Sequence, residues 1–184
     1  IASLHVTFCS GDESRAMEDA GFLPRTGIQY HWYNRGYDSF DDFLGALNSR
    51  KRKNLRKERK QVRDAGYSFE VLSGDDLKAA HWDRFYAFYH DTSDRKWGQA
   101  YLMRQFLYVV DERVRGRTVV VAAFRDGDMV AGALNLIGTK TLYGSNWGTV
   151  DRTPLLHFET CYYQAIDIAI ERGLKTVEAG AQGE

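Results

Sequence analysis

Residues 118–137 read TVVVAAFRDGDMVAGALNLI, two runs rich in β-formers joined by Asp126-Gly127. An Asp-Gly pair between such runs demands positive φ at both turn positions, which is the signature of a tight antiparallel hairpin. Thr141 to Asn146 predicts a third strand of the same meander. Thr153-Pro154 is an N-cap and first-turn pair for a helix to Arg172, closed by Gly173. Lys175 to Ala179 then predicts a final strand. Hairpins followed by a β-α-β crossover imply an α/β (α+β) mixed sheet flanked by helices.

The first half predicts alternating short elements. Leu4–Phe8 and Ile28–Tyr33 read as strands, with a helix at Glu13–Ala20 between them. Ser39 is the expected N-cap of a helix that continues through the basic run to Ala65 and stops at Gly66. Tyr67–Leu72 is the next strand. A helix follows from Asp75 to about His90, then a polar turn at Asp91–Trp97. A second helix is expected over Ala100–Val114, burying Leu102, Phe106, Val109 and Val110. The seam between two units is placed at Ser73-Gly74-Asp75, giving 1–73 and 74–184. Both termini abut core-like strands, so the chain is expected to be a fragment.

An apolar fraction of 43% suits a packed domain and not a disordered one. The longest apolar run, Val119–Phe124, is far too short to span a bilayer. Cys9 and Cys161 lack metal-type spacing, no metal is expected, and a reducing cytoplasm is the expected compartment. Net charge is zero, yet Arg50 to Arg63 holds nine Lys or Arg against one Glu. Neutrality therefore conceals a cationic helix. Its Arg50, Lys53, Arg56 and Lys57 fall near one face with Lys60 and Arg63, which would attract phosphates of tRNA, an acyl-CoA or a lipid-linked precursor. The competing reading is a solvated helix paired to carboxylates.

Three stretches carry a resemblance: GIQYHWYNRGYDSFDDFLGALNSRKRKNLRKERK, TLYGSNWG, and LLHFETCYYQAIDIAIERGLKTVEAGAQGE. Together they resemble the FemAB-like branch of the GNAT superfamily, bacterial predicted N-acyltransferases linked to peptidoglycan biosynthesis or recognition. The resemblance implies a GNAT-like acyltransferase fold, in which this chain supplies the second half of a tandem pair and the tail of the first. It also implies an N-acyltransferase acting on a small-molecule or cell-wall precursor amine. Acetyl-CoA-using GNAT enzymes usually carry a Gln/Arg-x-x-Gly-x-Gly/Ala loop before a helix, whose N–H groups hold the pyrophosphate. Here the equivalent stretch is Trp147-Gly-Thr-Val-Asp-Arg-Thr-Pro154, which lacks that pattern. FemAB-like enzymes proper draw on aminoacyl-tRNA, a donor that tolerates this departure.

No Ser-His-Asp or Cys-His set is readable, and transfer to an amine needs none. Glu178 is the first candidate base because it ends a strand, where open α/β sheets bind ligands. The plain alternative is a solvent-facing residue paired with Lys175. His157 is a candidate proton relay, and Glu159 a second carboxylate that the helix dipole alone would explain. Asn146, Trp147 and Tyr162 are expected to line the acceptor pocket, with Tyr163 beside them. Gln182 and Glu184 lie in a Gly-rich loop able to approach a ligand. Two other classes stay open: an RNA-binding module using the basic helix, and a non-catalytic scaffold that recognises peptidoglycan precursors.

Overall fold

A computed structural model describes residues 4–97 and 100–180. Its frame is one six-stranded sheet: β1 (His31–Tyr33), β2 (Tyr67–Ser73), β3 (Thr118–Arg125), β4 (Asp128–Ile137), β5 (Thr141–Thr149) and β6 (Thr176–Glu178). The spatial order is β1-β6-β5-β4-β3-β2. Every neighbouring pair is antiparallel except β5 with β6, which run parallel. Residues on either side of Ser73–Asp75 thus feed the same sheet.

The hairpin forms as its turn chemistry dictates. Asp126 and Gly127 take φ of 53° and 85°, and Arg125 pairs with Asp128. Alternation along β3 then sends its residues to opposite faces. Val120 and Ala122 pack with Trp82, Phe85, Phe88 and Leu107 from α4 (Ala79–Trp97) and α5 (Arg104–Val114). Val119 and Val121 pack with Ala165, Ile168 and Ala169 from α7 (Gln164–Glu171). Trp82, Phe85 and Phe88 are almost fully buried, each removing a large apolar area from water at roughly 25 cal/mol per Å².

Several expectations are corrected. Residues 4–8 form no strand; Leu4, Val6 and Phe8 stay exposed and join no sheet edge. The first helix covers Gly11–Asp19 (α1), closed into a capping box by Ser10 and Glu13. The single long basic helix is two: α2 (Phe40–Gly45), capped by Ser39, and α3 (Ser49–Asp64). Asn48 divides them because its side chain accepts from the Lys51 amide at 2.9 Å, a local cap that outcompetes helix continuation. Asp91–Trp97 is no turn but the last two turns of α4. There Arg95 pairs with Asp91 one turn back, and buried Thr92 exchanges hydrogen bonds with the backbone of Thr149. In α5 the buried residue is Leu107, whereas Phe106 and Val109 are exposed. The helix after β5 does not start at Thr153. It begins with α6 (Leu156–Phe158) after Leu155, whose φ is +70°, and passes through a π turn at Glu159–Tyr163 into α7.

Candidate functional site

Strands β5 and β6 stay in register over only three residues, ending at Tyr143 opposite Glu178. On its other side β5 bulges: Asn135 pairs with Gly144 and Ala133 with Trp147, so Ser145 and Asn146 together oppose one β4 residue. The bulge releases Asn146 from the ladder, and its amide nitrogen donates to the Tyr101 hydroxyl at 3.3 Å. That bond ties this end of β5 to Tyr101, ahead of α5.

One cross-sheet row runs through this end of β5. Leu136 pairs with Tyr143, Tyr143 with Glu178, and Glu178 with His31. The preceding row, Ile137, Leu142, Val177 and Trp32, points the other way into the α7 core. Alternation thus places Tyr143, Glu178 and His31 together on the opposite face, where Tyr143 and His31 are exposed and Glu178 is half-buried. Glu178 has no hydrogen bond or ion pair among the described residues, Lys175 included. A half-buried carboxylate with no partner among the described residues is available for proton transfer.

On the α7 side, His157 lies with its ring 4.6 Å from Trp147 and 5.4 Å from Tyr162. The Trp147 indole nitrogen is buried and meets no acceptor among the described residues. Glu159 turns inward. Its oxygens accept from Arg59 Nε at 3.1 and 3.2 Å, from Arg59 Nη2 at 2.8 Å and from Gln164 at 2.8 Å. Arg59 also reaches Asp167 at 2.7 Å and stacks 4.2 Å over the Phe40 ring. Burial alone would lower the Arg59 pKa, but Glu159 and Asp167 outweigh it and raise it. The Glu159 carboxylate is fully committed to these contacts, an arrangement of a structural anchor. Tyr163, beside it, donates to Glu58; burial and that carboxylate push its hydroxyl pKa up.

The loop between β5 and α6 uses its own donors. The amide of Thr149 donates to Thr92, that of Val150 to Val130, that of Asp151 to Thr149, and that of Thr153 to Asp151. Pro154 has none. Asp151 also accepts from the hydroxyls of Tyr67 and Thr153 and from Arg125 at 3.2 Å. Partial burial raises its pKa, yet these donors together hold it below the ordinary carboxylate value. An ionised Asp151 with most loop N–H groups occupied is a poor cradle for a pyrophosphate.

Along α3, Arg50, Lys53 and Lys57 are exposed with no acidic partner among the described residues, while Arg56 pairs with Asp41 at 3.0 Å. Gln182 and Glu184 lie outside the described residues. Two residues escaped the sequence reading. Arg59 shares a helix stripe with Leu55 and Val62, a spacing that marks an inward face. His31 neighbours a core tryptophan on a strand, so alternation turns it to the Glu178 face.

Among the described residues, no helix is long and apolar enough to cross a membrane, and no group of three His, Cys, Asp or Glu side chains could hold a metal. The fold matches solved structures at low identity. FemX aligns with 12% identity and a TM-score of 0.64, over 85% of this chain and 53% of that one. L-PGS from Bacillus licheniformis gives 12% and 0.55, over 91% and 57%. An aminoglycoside acetyltransferase from an uncultured soil metagenomic sample, solved with sisomicin, gives 12% and 0.50, over 66% and 80%. The chain thus spans a little over half the length of the first two. A search of curated proteins finds no match. A family model described as FemAB-like, peptidoglycan biosynthesis/recognition, matches residues 1–184. With a mixed sheet whose parallel pair parts at Glu178 and solved neighbours that share its GNAT-like fold, this chain belongs to the FemAB-like family.

Proposed function

We propose that the chain forms the catalytic cleft of an N-acyltransferase that moves an acyl or aminoacyl group onto an amine acceptor of cell-wall type. The observation that carries this reading is Glu178: a half-buried carboxylate at the last paired position of β5 and β6, with no hydrogen bond or ion pair among the described residues. There it takes a proton from the incoming ammonium, and the resulting amine attacks the acyl carbon. The carbon–nitrogen bond forms as the bond to the donor oxygen or sulfur breaks, and the leaving atom takes up a proton. Asn146, displaced by the bulge on the Tyr101 side of β5, offers its side-chain amide to a carbonyl oxygen. His157 packs against Trp147 on the α7 side of the sheet, away from the Glu178 face.

The occupied loop and ionised Asp151 favour a donor that does not rest its phosphates on the α6 start, such as an aminoacyl-tRNA. Arg50, Lys53 and Lys57 give such a donor a phosphate-binding face. Mass spectrometry of products formed from aminoacyl-tRNA or acyl-CoA with peptidoglycan-precursor amines tests the reading. An amide product that disappears in Glu178→Gln supports it; an undiminished product in that variant removes Glu178 from the chemistry.

A further inference from the structure

Helices α4 and α5 lie antiparallel. At one end the Tyr89 hydroxyl accepts from the amides of Tyr101 and Leu102, both at 3.2 Å. At the other end, away from Tyr101 and its contact with Asn146, a cavity of about 340 Å³ lies between the start of α4 and the last turns of α5. Leu77, Lys78, Trp82, Tyr108, Asp111 and Arg115 line it. No step assigned to Glu178 uses this cavity.

Two buried polar atoms of its lining residues meet no partner among the described residues: the Trp82 indole nitrogen and Asp111 Oδ1. Trp82 is 1% exposed and the Asp111 side chain 15%. Leaving a buried donor or acceptor unmet is costly, and folded proteins seldom do so twice around one cavity. Arg115 holds the other Asp111 oxygen, Oδ2, at 2.7 Å and reaches Asp75 at 3.0 Å. The Asp111 carboxylate is thus oriented through one oxygen and idle at the other. A single bridging water fills little of the space, since 340 Å³ is the liquid volume of about eleven waters.

These two atoms select the class of ligand, because one donates and the other accepts. An ammonium offers hydrogens to Asp111 and nothing to the indole N–H. A phosphate or carboxylate accepts from the indole but has no hydrogen to give. The start of α4, at Ala79, favours such an anion, yet Asp75 and Asp111 oppose it as like charges. A hydroxyl accepts and donates at one oxygen. Two carboxylates (Asp75 and Asp111) and two cations (Lys78 and Arg115) cancel around the cavity, so its formal charge calls for a neutral ligand. Leu77 and the ring of Tyr108, whose hydroxyl is committed to Asp83, give the wall an apolar part suited to the C–H face of a ring. We propose that this cavity binds a neutral, polyhydroxylated ring of monosaccharide size, whose hydroxyls meet the Trp82 indole N–H and Asp111 Oδ1. It is a second site, at the opposite end of α4 and α5 from Tyr101, and it stands independently of the reading of Glu178.

Proton–nitrogen NMR of the full chain tests this, with the Trp82 indole signal assigned from Trp82→Phe. Titration with glucose or N-acetylglucosamine is expected to move that signal saturably, with a Kd on the order of 1 mM, while the Trp147 indole signal stays in place. Sodium phosphate and ethylammonium chloride at the same concentrations are expected to leave it unmoved. Asp111→Asn removes the charged acceptor and is expected to weaken sugar binding about tenfold. Trp82→Phe keeps an aromatic ring against Phe85 and removes the N–H. Followed through the Asp111 backbone amide, it is expected to weaken binding to a similar degree, and it carries the test if Asp111→Asn does not fold. Absence of a saturable shift with both sugars overturns the proposal and leaves a cavity that holds only water. An equal response to phosphate or ethylammonium overturns the ligand class, and unchanged sugar affinity in the variants overturns the site.

Discussion

Arg59 grips Glu159 through two of its nitrogens, joining the basic helix to the π turn by an ion pair in which Glu159 is 2% exposed. π turns recur at functional sites, and here the turn lies between His157 at its entrance and α7. The inward cation thus fixes the segment that also carries His157 and Tyr162. Removing Arg59 leaves the buried Glu159 charge with only the Gln164 hydrogen bond. Arg59→Ala is expected to cost about 3–5 kcal/mol in urea unfolding. Substituting Arg59→Met together with Glu159→Leu is expected to recover much of that loss. Equal losses in the single and double variants would contradict a paired role.

Gly148 meets the main chain of α4, since a Cβ there would run into the backbone of Phe88 and Tyr89. Main chain cannot yield as a flexible side chain does. Gly148→Ala is expected to destabilise by about 3 kcal/mol, the upper end for overpacking, and to loosen the Thr92–Thr149 bonds. A loss of stability no larger than that of an exposed Gly45→Ala control would refute the close approach.

Stability is expected to fall at both pH extremes for named reasons. Asp151 has a lowered folded pKa, because the donors from Tyr67, Thr153 and Arg125 outweigh the upward push of burial. Its contribution is complete above the ordinary value of 3.8 and is lost as pH falls through the folded value. Tyr67 and Tyr163 are raised, first by burial and then by hydrogen bonds to Asp151 and Glu58. Their contributions hold below the ordinary value of 10.0 and are lost as pH climbs through the folded values. Asp151→Asn should flatten the acid limb of a denaturation series, and Tyr163→Phe the alkaline limb. An unaltered limb in either variant would contradict the assignment.

The basic face of α3 is expected to bind tRNA with affinity that drops steeply between low and physiological salt. Reversing Arg50, Lys53 and Lys57 to Glu should abolish that binding in fluorescence anisotropy while leaving the melting temperature nearly unchanged, because none of the three has an acidic partner among the described residues. Equal affinity in the reversed variant would place the contact elsewhere.

Much of the frame was legible in the sequence because it rests on local chemistry. Asp126-Gly127 forced the hairpin, Ser39 capped α2, and Gly173, with φ of +65°, closed the last helix. What stayed hidden depends on distant partners. Nothing near residues 4–8 says that an alternating segment will find no sheet edge. Asp91–Trp97 looked polar because its helix is stabilised by ion pairs and by a contact with Thr149, 57 residues away from Thr92. Thr153 resembled an N-cap, but its hydroxyl serves Asp151, which Tyr67 and Arg125 draw in from other strands. Glu178 could be named from its place at a strand end. Its neighbour His31 could not, since 147 residues of chain separate two side chains that only the β1–β6 register brings together.

The most direct test of the central claim is single-turnover transfer from radiolabelled aminoacyl-tRNA to a peptidoglycan-precursor amine, comparing the full chain with Glu178→Gln at equal folded concentration. The account predicts a labelled amide with wild type and a rate at least about a hundredfold lower with Glu178→Gln. Transfer at the same rate in both proteins would contradict it.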